Sequence, residues 1–413
     1  METHLADFIR DTPEGREAEA ILRRCVHCGF CTATCPTYQL LGDELDGPRG
    51  RIYLMKQMLE GAPVTERTRL HLDRCLTCRA CETTCPSGVE YGRLVDIGRE
   101  IVESRVPRSR FDAFKRRVLR AVIPHPARFG SLLRLGQLVR SVLPAPLRRK
   151  VPPRQDAKAW PARMHGRKML VLDGCVQPSL APATNAAAAR VLDRIGITLV
   201  RAAEAGCCGA VSFHLNARDE ALDYMRRNID AWWPEVEQGA ESIVMTASGC
   251  GVMVKDYGHA LAHDPQYAQR AWRVSALTKD LSEVITAEQD KIFALLAASG
   301  RSKRGLVAFQ SPCTLQHGQQ LKGAVEALLT KSGYELTPVA DPHLCCGSAG
   351  TYSLLEPGIS QRLLANKIRT LEAGNPSAIL TANIGCQSHL QSATALPVRH
   401  WIEALDDALV QRS

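Results

Sequence analysis

Sixteen cysteines in two repeated patterns restrict what this chain can fold around more than any other feature. Cys25, Cys28, Cys31 and Cys35 recur as Cys75, Cys78, Cys81 and Cys85, offset by 50 at every position. Cys175, Cys207, Cys208 and Cys250 recur as Cys313, Cys345, Cys346 and Cys386, offset by 138, 138, 138 and 136. A secreted disulfide scaffold is far shorter than 413 residues, and the start Met1–Asp7 has neither a basic region nor an apolar stretch of the kind that directs export. The thiols therefore read as metal ligands in a reducing compartment.

The first pattern specifies its chemistry. Cys25-x2-Cys28-x2-Cys31-x3-Cys35-Pro36 and its copy ending Cys85-Pro86 both match the bacterial ferredoxin run, in which three thiolates hold one cubane and the fourth reaches the other. On that rule Cys25, Cys28, Cys31 and Cys85 hold cluster one, while Cys75, Cys78, Cys81 and Cys35 hold cluster two. Structural zinc is the competing reading of C-x2-C pairs. Thr32, Thr34, Thr83 and Thr84 are expected to satisfy loop backbone or cluster sulfurs, and His27 and His71 to pack near the clusters or tune them. Saturated cubanes move single electrons and offer no substrate site, so the first 100 residues read as a wire. No G-x-G-x-x-G follows a predicted strand, which leaves flavin or nicotinamide chemistry to another chain. Helices are expected over Arg51–Leu59 and Glu66–Leu72, with Gly47-Pro48-Arg49-Gly50 as a breaker before them.

The charge is concentrated next. Between Arg105 and Lys168 stand 18 Lys and Arg against Asp112 and Asp156, whereas the rest of the chain is net acidic. Within Ser109–Ile123, Phe111, Phe114, Val118 and Val122 share one helical face and Arg116, Arg117 and Arg120 the other. A second apolar-rich piece spans Phe129–Leu143, followed by the basic run Leu147–Lys150. A solvated linker, an acidic partner subunit and an anionic membrane surface all suit such a segment. Nucleic acid does not, since no reading module accompanies the charge. No apolar run is long enough to span a membrane.

Beyond it, each copy of the second pattern reads as alternating strand and helix. In the first, strands are expected at Lys168–Leu172, Ile197–Arg201 and Ser242–Met245, with helices at Ala186–Ile195 and Ala217–Ile229. Trp232 and Trp233 would close the second helix before Pro234, packing against the sheet or forming a partner surface. In the second copy, strands are expected at Leu306–Phe309, Glu335–Val339 and Ala378–Thr381, with helices at Gly323–Ser332 and Ile359–Glu372. Such alternation implies parallel sheets, whose ligands collect beyond the strand carboxyl ends. The fold class is therefore a multidomain α and α/β chain: a helical di-cluster domain (1–104), a basic linker (105–165) and two α/β domains (166–300 and 301–413).

The adjacent, glycine-flanked thiols of Gly206-Cys207-Cys208-Gly209 and Cys345-Cys346-Gly347 resemble the cysteine-rich CCG family, which includes heterodisulfide reductases and lactate-utilisation proteins. The resemblance implies an iron-sulfur cluster or zinc at one or both sets. The family pattern ends in C-x2-C; here Met253 and His389 stand at the fifth position, His389 being either a ligand or a hydrogen-bonded residue. The domain order, with strings such as Cys25-Val26-His27-Cys28-Gly29-Phe30-Cys31, Gly42–Arg51, Asn228–Pro234 and Thr381–Cys386, is most similar to the iron-sulfur subunits of glycolate oxidases. That implies electron transfer from FAD-containing subunits, which oxidise glycolate, toward quinone, at the cytoplasmic face of a membrane. The alternatives are a CCG-cluster reductase of the heterodisulfide type, an iron-sulfur subunit of a lactate or glycerol-3-phosphate dehydrogenase, and a zinc-stabilised binding protein.

Overall fold

The computed structural model describes residues 1–144, 148, 151–298 and 303–410. Of the basic run 147–150 only Arg148 is included, and the expected boundary between 300 and 301 lies outside the described residues.

The first hundred residues form short helices, principally Pro13–Arg24, Pro36–Leu41, Pro48–Leu59, Glu66–Asp73, Ala80–Thr84 and Tyr91–Arg105. Three of them begin with proline, whose missing N–H costs nothing in a first turn. The Gly47–Gly50 run is thus not a breaker throughout: Pro48 starts the helix, and Gly50 lies inside it because a Cβ there would sit 2.1 Å from the Glu44 carbonyl oxygen. Ile21, Leu22, Met55, Leu72 and Leu94 close the small core between these helices.

The remainder is built on two four-stranded, all-parallel sheets. The first contains β1 (Arg167–Val171), β2 (Ile197–Arg201), β3 (Ile243–Met245) and β4 (Thr278–Asp280), in the order β2-β1-β3-β4. The second contains β5 (Leu306–Gln310), β6 (Glu335–Leu336), β7 (Ala378–Thr381) and β8 (Val398–His400), in the order β6-β5-β7-β8. The topology repeats with the cysteines. Both fourth strands escape a reading of apolar runs, because Thr278-Lys279-Asp280 and Val398-Arg399-His400 are three-residue edge strands with polar positions. The strand expected over Glu335–Val339 shrinks to two residues.

The two copies pack reciprocally. Helix Pro182–Asp193, with Ala186–Ala189 buried for close approach, meets the terminal helix Trp401–Leu409, while Leu281–Ala287 meets Ala324–Lys331. Arg190 pairs with Asp406 at 2.6 Å across this seam, and one continuous core holds Leu192, Ile285, Leu328 and Leu405. Helix Arg218–Glu237 runs past Pro234, so Trp232 and Trp233 lie within it rather than at its end. Trp232 is fully buried against the sheet, and Trp233 donates its indole N–H to Glu237 at 2.8 Å.

Candidate metal centres

The duplicated ferredoxin loops share a backbone as well as a spacing. His27 and Gly29 adopt left-handed φ of 57° and 87°, and Thr77 and Arg79, 50 residues on, adopt 52° and 59°. These turns coil each loop so that its first three thiols converge. Cys25, Cys28, Cys31 and Cys85 line one cavity. Cys35, Cys75, Cys78 and Cys81 line a second, and Cys81 also borders the first. The first cavity thus receives three thiols from its own loop and two from the other, and the second receives three and one.

Thiol donors with cationic neighbours suit an iron-sulfur cluster, whose sulfides and thiolates carry net negative charge. Arg49 borders the first cavity and Arg51 the second. Arg51, 1% exposed, donates to His71 O at 2.7 Å and Thr37 Oγ1 at 3.2 Å, and pairs with Asp46 at 3.5 Å. Asp46 also binds Arg74 and the His71 ring, at 2.8 and 3.0 Å. His71 is therefore part of a buried ionic network that reaches the second cavity through Arg51, and Asp46, Arg51 and Arg74 are participants that the cysteine spacing gave no means of finding. His27 borders the first cavity and packs edge-on to Tyr53. The four threonines bond loop carbonyls: Thr32 to Gly29, Thr34 to Cys31 and Ala80, Thr83 and Thr84 to Ala80. The sulfurs take other donors, with Tyr91 OH 3.6 Å and Thr77 N 3.4 Å from Cys75 Sγ. Burial pushes the Cys31 thiol up to about 11, and a bound cation would favour its thiolate.

In the C-terminal copies the cysteines follow the strand ends. Cys175 follows β1, Cys207 and Cys208 follow β2, and Cys250 lies in helix Ser248–Lys255 after β3; Cys313, Cys345, Cys346 and Cys386 repeat this after β5, β6 and β7. They meet where the order of a doubly wound sheet reverses, the usual place for a ligand. Within each set the thiols are neighbours that shift one another's ionisation, Cys175, Cys207, Cys208 and Cys250 in the first and Cys313, Cys345, Cys346 and Cys386 in the second. Cys313 and Cys345 sulfurs are 3.9 Å apart.

Glycine is required after each pair. Gly209 and Gly347 have φ of 89° and 87°, and a Cβ on Gly347 would stand 2.6 Å from Ser360 O. Their N–H groups point at Cys207 and Cys345 sulfurs at 3.5 and 3.4 Å. Asn228 clamps the first turn through Gly206 N and Cys207 O. In the second, Ser360 bonds Gly347 O at 2.8 Å and His389 Nε2 at 3.2 Å. His389 thus buttresses the turn through that nitrogen, and Met253 is buried in the core of its copy. A cation attends each set: Arg227 lowers the Cys207 thiol together with hydrogen bonds from Cys175 and Cys208, the larger causes; buried Lys367 lies beside Cys346 and Cys345 and donates to Asp341 O at 2.9 Å.

The sets adjoin one another. Cys78 and Cys313 pack against an apolar cluster of Leu76, Cys345, Tyr352 and Leu363, and Cys313 is the foremost charge neighbour of Cys78. Across the seam, Ser248 bonds Thr314 at 2.7 Å, and Asn383 accepts from Gly249 N at 3.1 Å while donating to Cys386 Sγ at 3.6 Å.

Residues 21–89 match the family described as a 4Fe-4S dicluster domain, and 169–255 and 307–391 each match a cysteine-rich CCG domain. The chain is 56% identical over 410 residues to the glycolate oxidase iron-sulfur subunit of Escherichia coli (strain K12), covering 99% of both chains. It is 30% identical over 400 residues to the probable glycolate oxidase iron-sulfur subunit of Bacillus subtilis (strain 168), covering 90% and 88%. Lactate utilization protein A of Anoxybacillus flavithermus is 28% identical over 204 residues, 48% of this chain and 80% of the relative.

Proposed function

Because the chain belongs to the family of glycolate oxidase iron-sulfur subunits, we propose that it carries electrons within a glycolate-oxidising complex, from FAD-containing subunits toward quinone. It is an iron-sulfur subunit of an oxidoreductase; the substrate is oxidised elsewhere in the complex. Its place is the cytoplasmic side of a membrane, to which the complex is peripherally bound. No described helix is long and apolar enough to cross a membrane.

The ligands we assign are Cys25, Cys28, Cys31 and Cys85 for one [4Fe-4S] cluster and Cys75, Cys78, Cys81 and Cys35 for the other. The clusters supply reversible one-electron transfer. The chain fixes their order. Cys28 is exposed, with Val26 and Phe30 exposed beside it, so the first site is the docking end for a redox partner. The second is reached through Cys81.

The observation that carries the reading is that Cys78 and Cys313 pack against one apolar cluster that contains Cys345. Electron tunnelling falls steeply with distance, and a third thiol site beside the second cluster's ligand extends the path into the C-terminal half. Cys313, Cys345, Cys346 and Cys386 are accordingly assigned to an iron-sulfur centre. Cys175, Cys207, Cys208 and Cys250 form a further metal site behind it. This favours a relay over a reductase acting at its own CCG cluster, since that relay ties the four sites into one series.

Anaerobic purification with iron, sulfide and zinc quantification, and EPR of the dithionite-reduced chain, tests this. The expected result is iron beyond about eight per chain, with interacting [4Fe-4S] signals. About eight irons alone would end the wire at cluster two. Zinc without iron would overturn the electron-transfer reading.

A further inference from the structure

Hydrophobic periodicity normally turns the apolar stripe of a helix toward the protein and its charges toward water. Helix Arg110–Val122 does the reverse. Ser109 caps it, accepting from Asp112 N at 3.2 Å, and its charged face lies on the body of the protein. Arg108, just before it, pairs with Asp73 and Glu103 at 2.7 Å each. Arg116 pairs with Asp112 at 3.1 Å and Asp73 at 3.5 Å, and Arg120 with Glu220 at 3.3 Å. The opposite face is left to solvent, with Phe111 71% and Phe114 63% exposed.

The next helix, Pro126–Leu138, continues this. Its Gly130 is buried near Ser179, whose Oγ would be 2.8 Å from a Cβ there, so this side packs against the helix that follows Cys175. Leu132, Leu135 and Leu138 point outward. Arg128 ties the two helices by donating to Ala121 O at 2.8 Å. Among the described residues, 8 of the 17 exposed large hydrophobic side chains fall between Phe111 and Val142, too many on one short segment to be the scattered apolar surface of an ordinary soluble protein.

We propose that this hairpin is a docking surface for an anionic lipid bilayer, its apolar face entering the headgroup boundary. The borders of the stripe argue for lipid. By helical spacing Arg110 and Arg117 flank Phe114 on one edge and Lys115 flanks Phe111 on the other, its ammonium 5.1 Å from the ring centroid. Long cations with apolar stems at the margin of an apolar face are placed to reach lipid phosphates. From Ser109 to Pro144 the one acidic residue is Asp112, and it is paired inward. Apart from Asp112, the carboxylates that neutralise the inner arginines come from the body of the protein, so the charge remaining outside is positive and favours an anionic surface. The surface rests on the reading of the chain as a subunit working at a membrane, and its test is independent of iron content.

The experiment is co-sedimentation of the full-length chain, anaerobically purified, with phosphatidylglycerol–phosphatidylcholine vesicles and with phosphatidylcholine vesicles alone. Binding is expected to the anionic vesicles and to weaken with salt. The combined Phe111→Ser, Phe114→Ser and Leu135→Ser variant should bind about tenfold or more weakly, given the apolar area removed, with its iron content unchanged. Leu354→Ser, at an exposed leucine elsewhere, should bind as the parent does. Parent chain with its iron intact that stays in the supernatant, or a triple variant that binds as well as the parent, overturns the proposal. A triple variant that keeps vesicle binding and loses co-purification with the flavoprotein subunits assigns the face to a protein partner, which also overturns it. Vesicle binding by a chain that holds zinc and no iron would support the surface while removing the electron-transfer reading.

Discussion

Thr83 Oγ1, two residues before Cys85, lies 2.8 Å from Nδ1 of His317, four residues after Cys313. The other ring nitrogen meets the His343 carbonyl at 3.0 Å, so one imidazole joins a ferredoxin loop to the second CCG copy. Nε2 donates to the carbonyl, and burial holds the imidazole below its ordinary value.

His317→Ala removes both bonds and takes the ring partner from the His343 carbonyl, while Thr83 keeps its bond to Ala80 O. A loss of about 1–3 kcal/mol in unfolding free energy is expected, read by chemical denaturation. The magnetic interaction between cluster two and the centre assigned to Cys313 should weaken in the reduced EPR spectrum. Unchanged spectra would remove His317 from the positioning of the two sites.

Crossing of the fourth ligand separates the two clusters genetically. Cys35→Ser should remove about four irons and the cluster held by Cys75, Cys78 and Cys81, while Cys85→Ser should remove the one held by Cys25, Cys28 and Cys31. Redox titration followed by EPR distinguishes which potential survives in each variant. Survival of the opposite cluster in each would show that each loop holds its own four-thiol cluster.

Cysteine spacing made the four thiol sets legible because ligand number and loop length are written locally. The parallel sheets were legible because β1, β3, β5 and β7 are apolar runs between helices. The ionic network that reaches the second cavity was not, since Asp46, Arg51, His71 and Arg74 meet only after three helices have packed. Periodicity showed that helix Arg110–Val122 has two faces but not which one turns inward. That depends on Asp73, Glu103 and Glu220, carboxylates from three separated segments. Lys367 and Arg227 were hidden for a similar reason, each being an ordinary cation on a helix until the preceding turn brings thiols beside it.

Gly347→Ala tests the turn chemistry. The left-handed φ of 87° and the 2.6 Å approach to Ser360 O leave no room for a methyl group without moving backbone. Strain of about 1–3 kcal/mol is expected, with loss of iron in excess of the two ferredoxin clusters. Ala substituted at Gly358, where a Cβ meets nothing within 4 Å, should leave both stability and iron content near those of the parent.

His400 provides a pH dependence with a defined sign. It is 1% exposed, its Nδ1 accepts from Ile402 N at 3.2 Å, and burial pushes its pKa down to about 3. An unfolded histidine titrates near about 6.5, so between these values the unfolded chain binds a proton that the folded chain does not. The contribution of His400 to stability is therefore complete above about pH 6.5 and falls by about 1.4 kcal/mol per unit as the pH drops toward its folded value. His400→Asn, which retains an acceptor at this helix start, should flatten the unfolding free energy across that window. An equal slope in parent and variant would place the acid sensitivity elsewhere.

Arg51 couples fold to redox chemistry most directly. Arg51→Met leaves Asp46 buried with Arg74 and the His71 ring as its remaining partners, and removes a positive charge from the wall of the second cavity. Breaking a buried pair costs about 3–5 kcal/mol when the partner is stranded; the two surviving contacts place the expected loss at or below the lower end. The reduced cluster carries one more negative charge than the oxidised one, so loss of the nearby cation destabilises the reduced form and lowers the potential of cluster two. The potential of cluster one, on the far side of Cys81, should move less. Chemical denaturation and EPR-monitored redox titration of the same preparation separate the two effects: a stability loss with both potentials unmoved would make Arg51 a structural residue alone, whereas a selective fall at cluster two would establish it as a positioning and tuning residue for electron transfer.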